Sequence, residues 1–224
     1  MLKRKILNDL INWKNTKDKE CLLVKGARQV GKTYIIEEFG KNYYDNYVYL
    51  NFFRNPNLKN IFEGSLEASE IYKKMSIYIP NFKLVPNTLI FLDEIQECPN
   101  ARTALKFLAI DNKYDVIASG SLLGISYKSA PSIPVGYERQ LTMYSLDFEE
   151  FLWAIGFNEN SISYIKEHFE NHEKIENGIN DEMFRKLREY IVVGGMPDVV
   201  NTFIETNNFS DVQKAQDKIL FDYN

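Results

Sequence analysis

The stretch that decides the fold runs from residue 22 to residue 39 and reads "LLVKGARQVGKTYIIEEF". It sets an apolar run before two glycines five positions apart, Gly26 and Gly31, which Lys32 and Thr33 follow directly. The apolar run is typical of a buried strand, and residues 32 to 39 have the spacing of a helix. The stretch therefore predicts a strand, a glycine-rich turn and a helix, in that order.

The glycine-rich turn follows the pattern GxxxxGK[ST], which is typical of phosphate binding. Glycines permit backbone angles that turn several N–H groups inward as an anion-binding nest, and the following helix adds its positive amino end. Lys32 is then expected to reach the β- and γ-phosphates of a nucleotide, and the Thr33 hydroxyl to ligate Mg²⁺. A glycine-bearing strand-to-helix turn with a solvated lysine is the alternative.

A second motif, "TLIFLDEIQE" at residues 88 to 97, has two acids at the carboxyl end of an apolar stretch. The stretch predicts a strand buried on both faces, and ligands of a parallel sheet bind outside the carboxyl ends of its strands. Asp93 then fits the acid on the Mg²⁺ side, acting directly or through the water shell. Glu94 is expected to polarise the water that attacks the γ-phosphate. The plainer interpretation is that two acids merely end a strand.

A further apolar stretch ends in the small polar residues of "DVIASGSLLGI", residues 115 to 125. A hydroxyl at a neighbouring strand tip can hydrogen-bond to the γ-phosphate or to the attacking water. Ser119 and Ser121 are therefore candidates for a γ-phosphate sensor. Ser and Gly also end many strands for local reasons, so the motif leaves this role open.

Strands alternate with helical patterns over the first 146 residues. The predicted strands are 21–24, 46–53, 88–94, 114–119 and 140–146, and the predicted helices between them are 32–39, 65–79 and 101–109. Such alternation, with several uniformly apolar strands, is typical of a parallel sheet covered on both faces by helices. The expected fold class is α/β, with about five parallel strands in a nucleotide-binding architecture.

From Phe148 the pattern becomes helical around a turn "VVGGMPDVV", with helices expected at 148–155, 161–172, 180–190 and 211–222. Two domains are thus predicted, an α/β core at 1–146 and a small helical lid at 147–224. The last residues, "KILFDYN", lie within helical periodicity, and we expect the chain to be a fragment of a longer protein.

The composition fits a globular chain, with 45% hydrophobic residues, 14% aromatic residues and a formal net charge of −4. That charge argues against a surface built entirely for nucleic acid, although a local basic patch stays open. Cys21 and Cys98 have no partners at zinc-ligand spacing, and we expect reduced, buried thiols. The opening residues have the apolar spacing of an amphipathic helix and lack the features of a signal peptide. No run reaches the roughly 18 residues of a membrane span, so the expected location is the cytoplasm.

Taken in order, the motifs "GARQVGKT", "LIFLDEIQE", "IASGSLLG", "YSLDFEEFLWA" and "VVGGMPDVV" closely resemble those of a known family. They are similar to the prokaryotic AAA-type P-loop ATPases, which carry a C-terminal domain of unknown function that is often described as nuclease-like. The resemblance covers nearly the whole chain. It implies an AAA-type P-loop NTPase core with ATP and Mg²⁺ as cofactors. Family members continue with a winged-helix-like segment and a further domain, which we expect to be truncated or absent here.

By this resemblance, the residues from Gly26 to Thr33 form the phosphate loop. The candidate site residues are, for the nucleotide, Gly26, Ala27, Arg28, Gln29, Val30, Gly31, Lys32, Thr33, Tyr34, Ser119 and Ser121; for the metal, Thr33 and Asp93; and for catalysis, Lys32, Glu94 and Arg139. Two assignments stay open. Arg28 either contacts a phosphate or packs outward against the sheet edge. Arg139 is either an arginine finger supplied to a neighbouring subunit or a surface arginine.

The motifs together predict Mg²⁺-dependent binding and hydrolysis of ATP, coupled to a change in the position of the helical domain. A small-molecule kinase is one alternative, but the adjacent Asp93 and Glu94 favour hydrolysis. The other alternative is a nucleotide-gated module that hydrolyses little ATP and presents the helical domain to DNA or to a partner protein. The sequence leaves open the nucleic-acid or protein partner and a homo-oligomer, and it predicts no membrane association.

Overall fold

A computed structural model describes residues 2–17, 19–121 and 134–223 of the chain. The helices are α1 (Ile6–Lys14), α2 (Lys32–Tyr43), α3 (Ala68–Tyr78), α4 (Pro99–Asp111), α5 (Phe148–Ala154), α6 (Glu159–Glu170), α7 (Asn177–Val193), α8 (Pro197–Thr206) and α9 (Phe209–Tyr223). The strands are β1 (Cys21–Gly26), β2 (Asn46–Asn51), β3 (Thr88–Asp93), β4 (Asp115–Ser121) and β5 (Glu138–Met143), and short 3₁₀ helices span Pro56–Phe62 and Ile95–Glu97. The loop that the sequence predicts between the strands 114–119 and 140–146 contains Pro131, which lies outside the described residues. Within those residues, no helix combines the length and apolarity needed to cross a membrane.

The chain forms two compact units. One contains Ile6–Met143, and the other contains Met1–Lys5 together with Tyr144–Asn224. The described part of the first unit has a five-stranded sheet in the order β2-β3-β4-β1-β5, with every neighbouring pair parallel. β1 therefore lies between β4 and β5, and β4 separates it from β3. The predicted α/β class with a parallel sheet is confirmed.

The sheet is covered on both faces, and β3 is buried along its whole length. Ile90 and Leu92 pack in one hydrophobic cluster with residues of α3 and α4. Leu89 and Phe91 point to the opposite face and are also fully buried, and Gly40 of α2 packs close to Leu89. A strand with two buried faces gains nothing from alternating polar residues, which explains the unbroken apolar run before Asp93.

The second unit has a hydrophobic core of its own, formed by Leu146, Phe151, Val193, Val199, Val200, Phe203 and Val212. α5 begins with a capping box, in which the Asp147 carboxylate accepts from the Glu150 N–H and the Glu150 carboxylate accepts from the Asp147 N–H. Buried Arg4 forms an ion pair of 3.3 Å with buried Glu150, which also accepts the Lys5 backbone N–H at 2.6 Å. These contacts hold the residues before α1 against α5, and α1 begins only at Ile6.

The "GGMP" turn joins α7 to α8 and packs against the start of the second unit. The Gly195 carbonyl accepts a hydrogen bond of 2.7 Å from the Leu146 N–H, and a Cβ on Gly195 would lie 2.1 Å from the Leu146 carbonyl oxygen. Glycine is required because two backbones touch there. α8 was not predicted, although Pro197 at its first position is a helix-start signal.

Candidate functional site

The parallel sheet brings the candidate residues to one edge. β1 ends at Gly26, β3 at Asp93 and β4 at Ser121, and α2 begins at the same edge with Lys32. The Thr33 hydroxyl donates a hydrogen bond of 3.1 Å to the Asp93 carboxylate across 60 positions of sequence. The glycine-rich loop and the acidic motif therefore form one site.

The two glycines of the loop are needed for different reasons. A Cβ on Gly26 would lie 2.3 Å from the Met143 carbonyl oxygen, so only glycine permits the approach of β1 to β5 at this point. Gly31 has a φ of 94°, in the left-handed region that favours glycine, and its carbonyl accepts the Ile35 N–H at 3.1 Å. Gln29 is also left-handed, with a φ of 62°. Left-handed residues at alternate positions fit an anion-binding nest.

The side chain of Lys32 folds back over the loop. Its Nζ donates to the carbonyl oxygens of Gly26 at 3.1 Å and Ala27 at 2.6 Å, and only 8% of the residue is exposed. Burial lowers the pKa of Lys32 from its ordinary value, while the charges of Glu94 and Asp93 act in the opposite direction. Carbonyl oxygens carry no net charge, so an anion in the loop would compensate the buried ammonium far better.

Asp93 is 1% exposed and lies at the centre of a hydrogen-bond network. Its Oδ2 accepts from Thr33 Oγ1 at 3.1 Å, Tyr49 OH at 2.8 Å and Asn51 Nδ2 at 2.9 Å, and its Oδ1 accepts from Ser119 Oγ and from the Glu94 N–H at 3.1 Å. An ionised carboxylate offers about four lone-pair sites, so these donors fill its capacity. The Thr33 hydroxyl and the Asp93 carboxylate are the hard oxygen donors that suit Mg²⁺.

Sequence reasoning missed two residues of this network, Tyr49 and Asn51. The Asn51 amide nitrogen donates to Asp93 and to the Tyr49 hydroxyl, and its oxygen accepts the N–H groups of Phe53 at 3.1 Å and Arg54 at 2.7 Å. Burial raises the pKa of Tyr49 to about 12, so its hydroxyl stays a donor at neutral pH. The signal for Asn51 in the sequence is a polar side chain near the end of the predicted strand 46–53, but the sequence does not show that this strand lies beside β3.

Glu94 has a different environment from Asp93. It is only partly buried, and its backbone is left-handed with a φ of 55°. A left-handed conformation is uncommon for a residue other than glycine and is often found at functional sites. The Glu94 carboxylate accepts a hydrogen bond from the Gln96 side-chain amide. Glu94 is thus accessible beside the buried acid, as a residue that acts on a bound water must be.

The remaining candidates of the loop and of β4 occupy distinct positions. Ser119 is fully buried and engaged with Asp93, whereas Ser121 is the last residue of β4 and is 6% exposed. Arg28 is exposed on the loop, and its charge contributes to lowering the pKa of Lys32. Val30 is buried, and Tyr34, on the first turn of α2, is 54% exposed.

Arg139 is the one candidate that the fold does not bring to this edge. It lies near the start of β5, where it pairs with Leu22 of β1 and forms an ion pair of 3.1 Å with Glu20. Met143, the residue of β5 that faces Gly26, is four residues further on, which corresponds to roughly 13 Å along a strand. A role as an arginine finger therefore stays a prediction for an assembly of several chains.

Comparisons with known proteins identify a family for part of the chain. The sequence model of a family described as "AAA domain" matches residues 18–152. No curated protein matches the sequence.

Several solved structures are similar to this chain at low sequence identity. Aeropyrum pernix ORC1 in complex with DNA has 16% identity and a TM-score of 0.43, with 65% of this chain and 46% of that chain covered. Drosophila ORC bound to DNA has 12% identity and a TM-score of 0.49, with coverage of 89% and 58%. AMPPCP-bound DnaA from Aquifex aeolicus has 13% identity and a TM-score of 0.47, with coverage of 96% and 63%. The chain thus spans about half to two thirds of the lengths of these structures.

Proposed function

Because the chain belongs to the AAA domain family, we propose that it binds ATP with Mg²⁺ and hydrolyses it. The family supports a nucleotide-binding function of the ATPase type. The observation that carries the finer proposal is the 3.1 Å hydrogen bond between the Thr33 hydroxyl and the Asp93 carboxylate. This bond joins the phosphate loop to the acid of β3, as a shared site for phosphate and metal requires.

The phosphate loop would bind the charged end of the nucleotide. Lys32 would exchange two carbonyl acceptors for phosphate oxygens, which gives its buried ammonium a charged partner. Thr33 and Asp93 would hold Mg²⁺, Thr33 through its hydroxyl oxygen and Asp93 through a water of the ion that replaces one of its present donors. The ion, when bound, neutralises charge on the phosphates.

Glu94 would act as the general base. It would accept a proton from the water that attacks the γ-phosphate, while Asp93 stays fixed by its own hydrogen bonds. The proposal also includes a cytoplasmic location and a helical lid that changes position with the bound nucleotide.

The test measures nucleotide affinity and phosphate release from Mg-ATP for the wild type, Lys32→Ala and Glu94→Gln. We expect Lys32→Ala to weaken ATP binding by about 10- to 100-fold, because a charge-assisted hydrogen bond is lost. Glu94→Gln should bind ATP normally and lower kcat by about 100-fold or more. Lys25→Ala and Glu97→Gln are matched controls, since Lys25 hydrogen-bonds to Gln140 and Glu97 pairs with Lys59.

Two results would contradict the proposal in different ways. Equal ATP binding by all variants without phosphate release would remove the roles of both Lys32 and Glu94. Tight binding that depends on Lys32, again without phosphate release, would favour the nucleotide-gated interaction module instead of an ATPase.

A further inference from the structure

The turn that follows the two acids is rigid. Ile95 is 1% exposed and packs in the hydrophobic cluster beneath the sheet, as does Cys98. The Glu97 N–H donates to the Glu94 carbonyl at 2.9 Å, and the Cys98 N–H donates to the Ile95 carbonyl at 3.0 Å. The backbone of the turn is therefore anchored at both ends, which sets where its side chains begin.

Gln96 lies in the middle of this turn and contacts the proposed base. Its Nε2 donates a hydrogen bond to Glu94 Oε2. Its Oε1 is buried, and no hydrogen-bond partner for it is found among residues 2–17, 19–121 and 134–223. A buried carbonyl oxygen needs a hydrogen-bond donor, and this oxygen belongs to the side chain that contacts the proposed base.

We propose that Gln96 is a positioning residue that fixes Glu94 with its amide nitrogen and the attacking water with its amide oxygen. This inference rests on the proposed ATPase function. The water would donate one hydrogen to Glu94 and the other to Gln96 Oε1. Its oxygen then bonds to the γ-phosphorus, the bond from that phosphorus to the bridging oxygen breaks, and one proton passes to Glu94, so that ADP and phosphate result.

The orientation of the base is what Gln96 contributes. A carboxylate on a partly exposed side chain can rotate, and misplacement by about 1 Å can cost about 100-fold in rate. Because one planar amide contacts both the base and the water, it sets the angle between them. The binding of ATP would depend on Lys32 and on the loop, and among the described residues the Gln96 side chain has no hydrogen bond to either.

The test uses Gln96→Met, which keeps the size of the side chain and removes both polar atoms. We expect kcat to fall by about 10- to 100-fold with the affinity for ATP unchanged. Gln96→Glu keeps acceptor oxygens but sets a second carboxylate against Glu94, so its kcat should fall at least as far. Glu97→Met is the matched control on the same turn, and its kcat should stay within about twofold of the wild type.

A second comparison separates positioning from a merely structural role. In a Glu94→Gln background, Gln96→Met should cause a much smaller further loss, because the orientation of the water matters mainly while Glu94 can accept its proton. Thermal unfolding of each variant checks that it is folded, and Gln96→Glu replaces Gln96→Met if the latter is not.

The inference is overturned if a folded Gln96 variant turns over at the wild-type rate. It is equally overturned if kcat and ATP affinity fall together, or if the loss is the same in both backgrounds. Wild-type protein that does not hydrolyse ATP would refute the proposed function and this inference together, whereas wild-type activity that needs Glu94 but not Gln96 refutes the inference alone.

Discussion

At the scale of the residue, Gly26 shows how closely the phosphate loop is built onto the sheet. Gly26→Ala would set a Cβ against the Met143 carbonyl and force β1 and β5 apart where the loop begins. We expect a loss of about 1–3 kcal/mol in the free energy of unfolding, as for other overpacked sites, together with weaker ATP binding. Urea unfolding measures the first effect and nucleotide titration the second.

The matched control for Gly26 is Gly178 in the first turn of α7. A Cβ there would meet nothing within 4 Å, so Gly178→Ala should be neutral or slightly stabilising, since alanine favours a helix. If the two variants unfold at the same urea concentration, the close approach of residue 26 to the Met143 carbonyl does not affect stability.

Sequence reasoning at this scale predicts the candidate residues whose types suit phosphate and metal binding, and it misses two residues that hydrogen-bond to one of them. Lys32, Thr33, Asp93 and Glu94 stand in motifs with the spacing that phosphate and metal binding would require. Tyr49 and Asn51 reach Asp93 only because β2 lies beside β3, and the order of strands in a sheet cannot be read from local periodicity.

At the scale of the element, three acidic residues at the start of α5 should contribute different amounts to the free energy of unfolding. Glu150 is buried against Arg4, Asp147 caps the helix, and Glu149 pairs with Lys5 and Lys166 near the surface. We expect the free energy of unfolding to fall most for Glu150→Ala, by about 3–5 kcal/mol, because a buried charge loses its partner. Asp147→Ala should cost about 1 kcal/mol.

Glu149→Ala serves as the control for this series and should cost about 1 kcal/mol or less, because exposed ion pairs contribute little. Urea unfolding followed by circular dichroism ranks the three variants. A loss for Glu149→Ala as large as that for Glu150→Ala would contradict the assignment of Arg4 and Glu150 as the central pair.

The elements themselves were largely predictable from the pattern of apolar residues. β3 was found because a strand buried on both faces is uniformly apolar, and α7 and α9 because their apolar positions recur with helical spacing. α8 was missed because the two glycines of "GGMP" are typical of a turn, so that Pro197 was assigned to the turn and not to the first position of a helix. The 3₁₀ helix Pro56–Phe62 was missed because its buried residues, among them Leu58 and Phe62, are too few to form a period.

At the scale of the whole molecule, the reactivity of the two cysteines measures the unfolding of one of the two units. Cys21 and Cys98 both belong to the unit Ile6–Met143 and are each 4% exposed. Burial raises the pKa of both thiols, so neither should react with a thiol reagent in the folded protein at pH 8. Both should react once this unit unfolds.

Cysteine labelling measured at increasing urea concentrations should therefore rise over the same range in which the fluorescence of Trp13 changes. Trp13 lies in the same unit as the two cysteines, and a Trp153→Phe variant makes its fluorescence the only tryptophan signal. Rapid labelling of either cysteine in the absence of urea would show that the core around it opens without unfolding.

The residues before α1 fold with the helices of the second unit, so the α/β unit is an insertion into that unit. The polypeptide crosses between the units at two places, after Lys5 and after Met143, and two cuts are needed to sever them completely. A protease that cuts only after Met143 leaves two ion pairs intact, one between Arg4 and Glu150 and one between Lys5 and Asp147. In such a nicked protein, the residues before α1 would still hold the fragment that ends at Met143 to the fragment that begins at Tyr144.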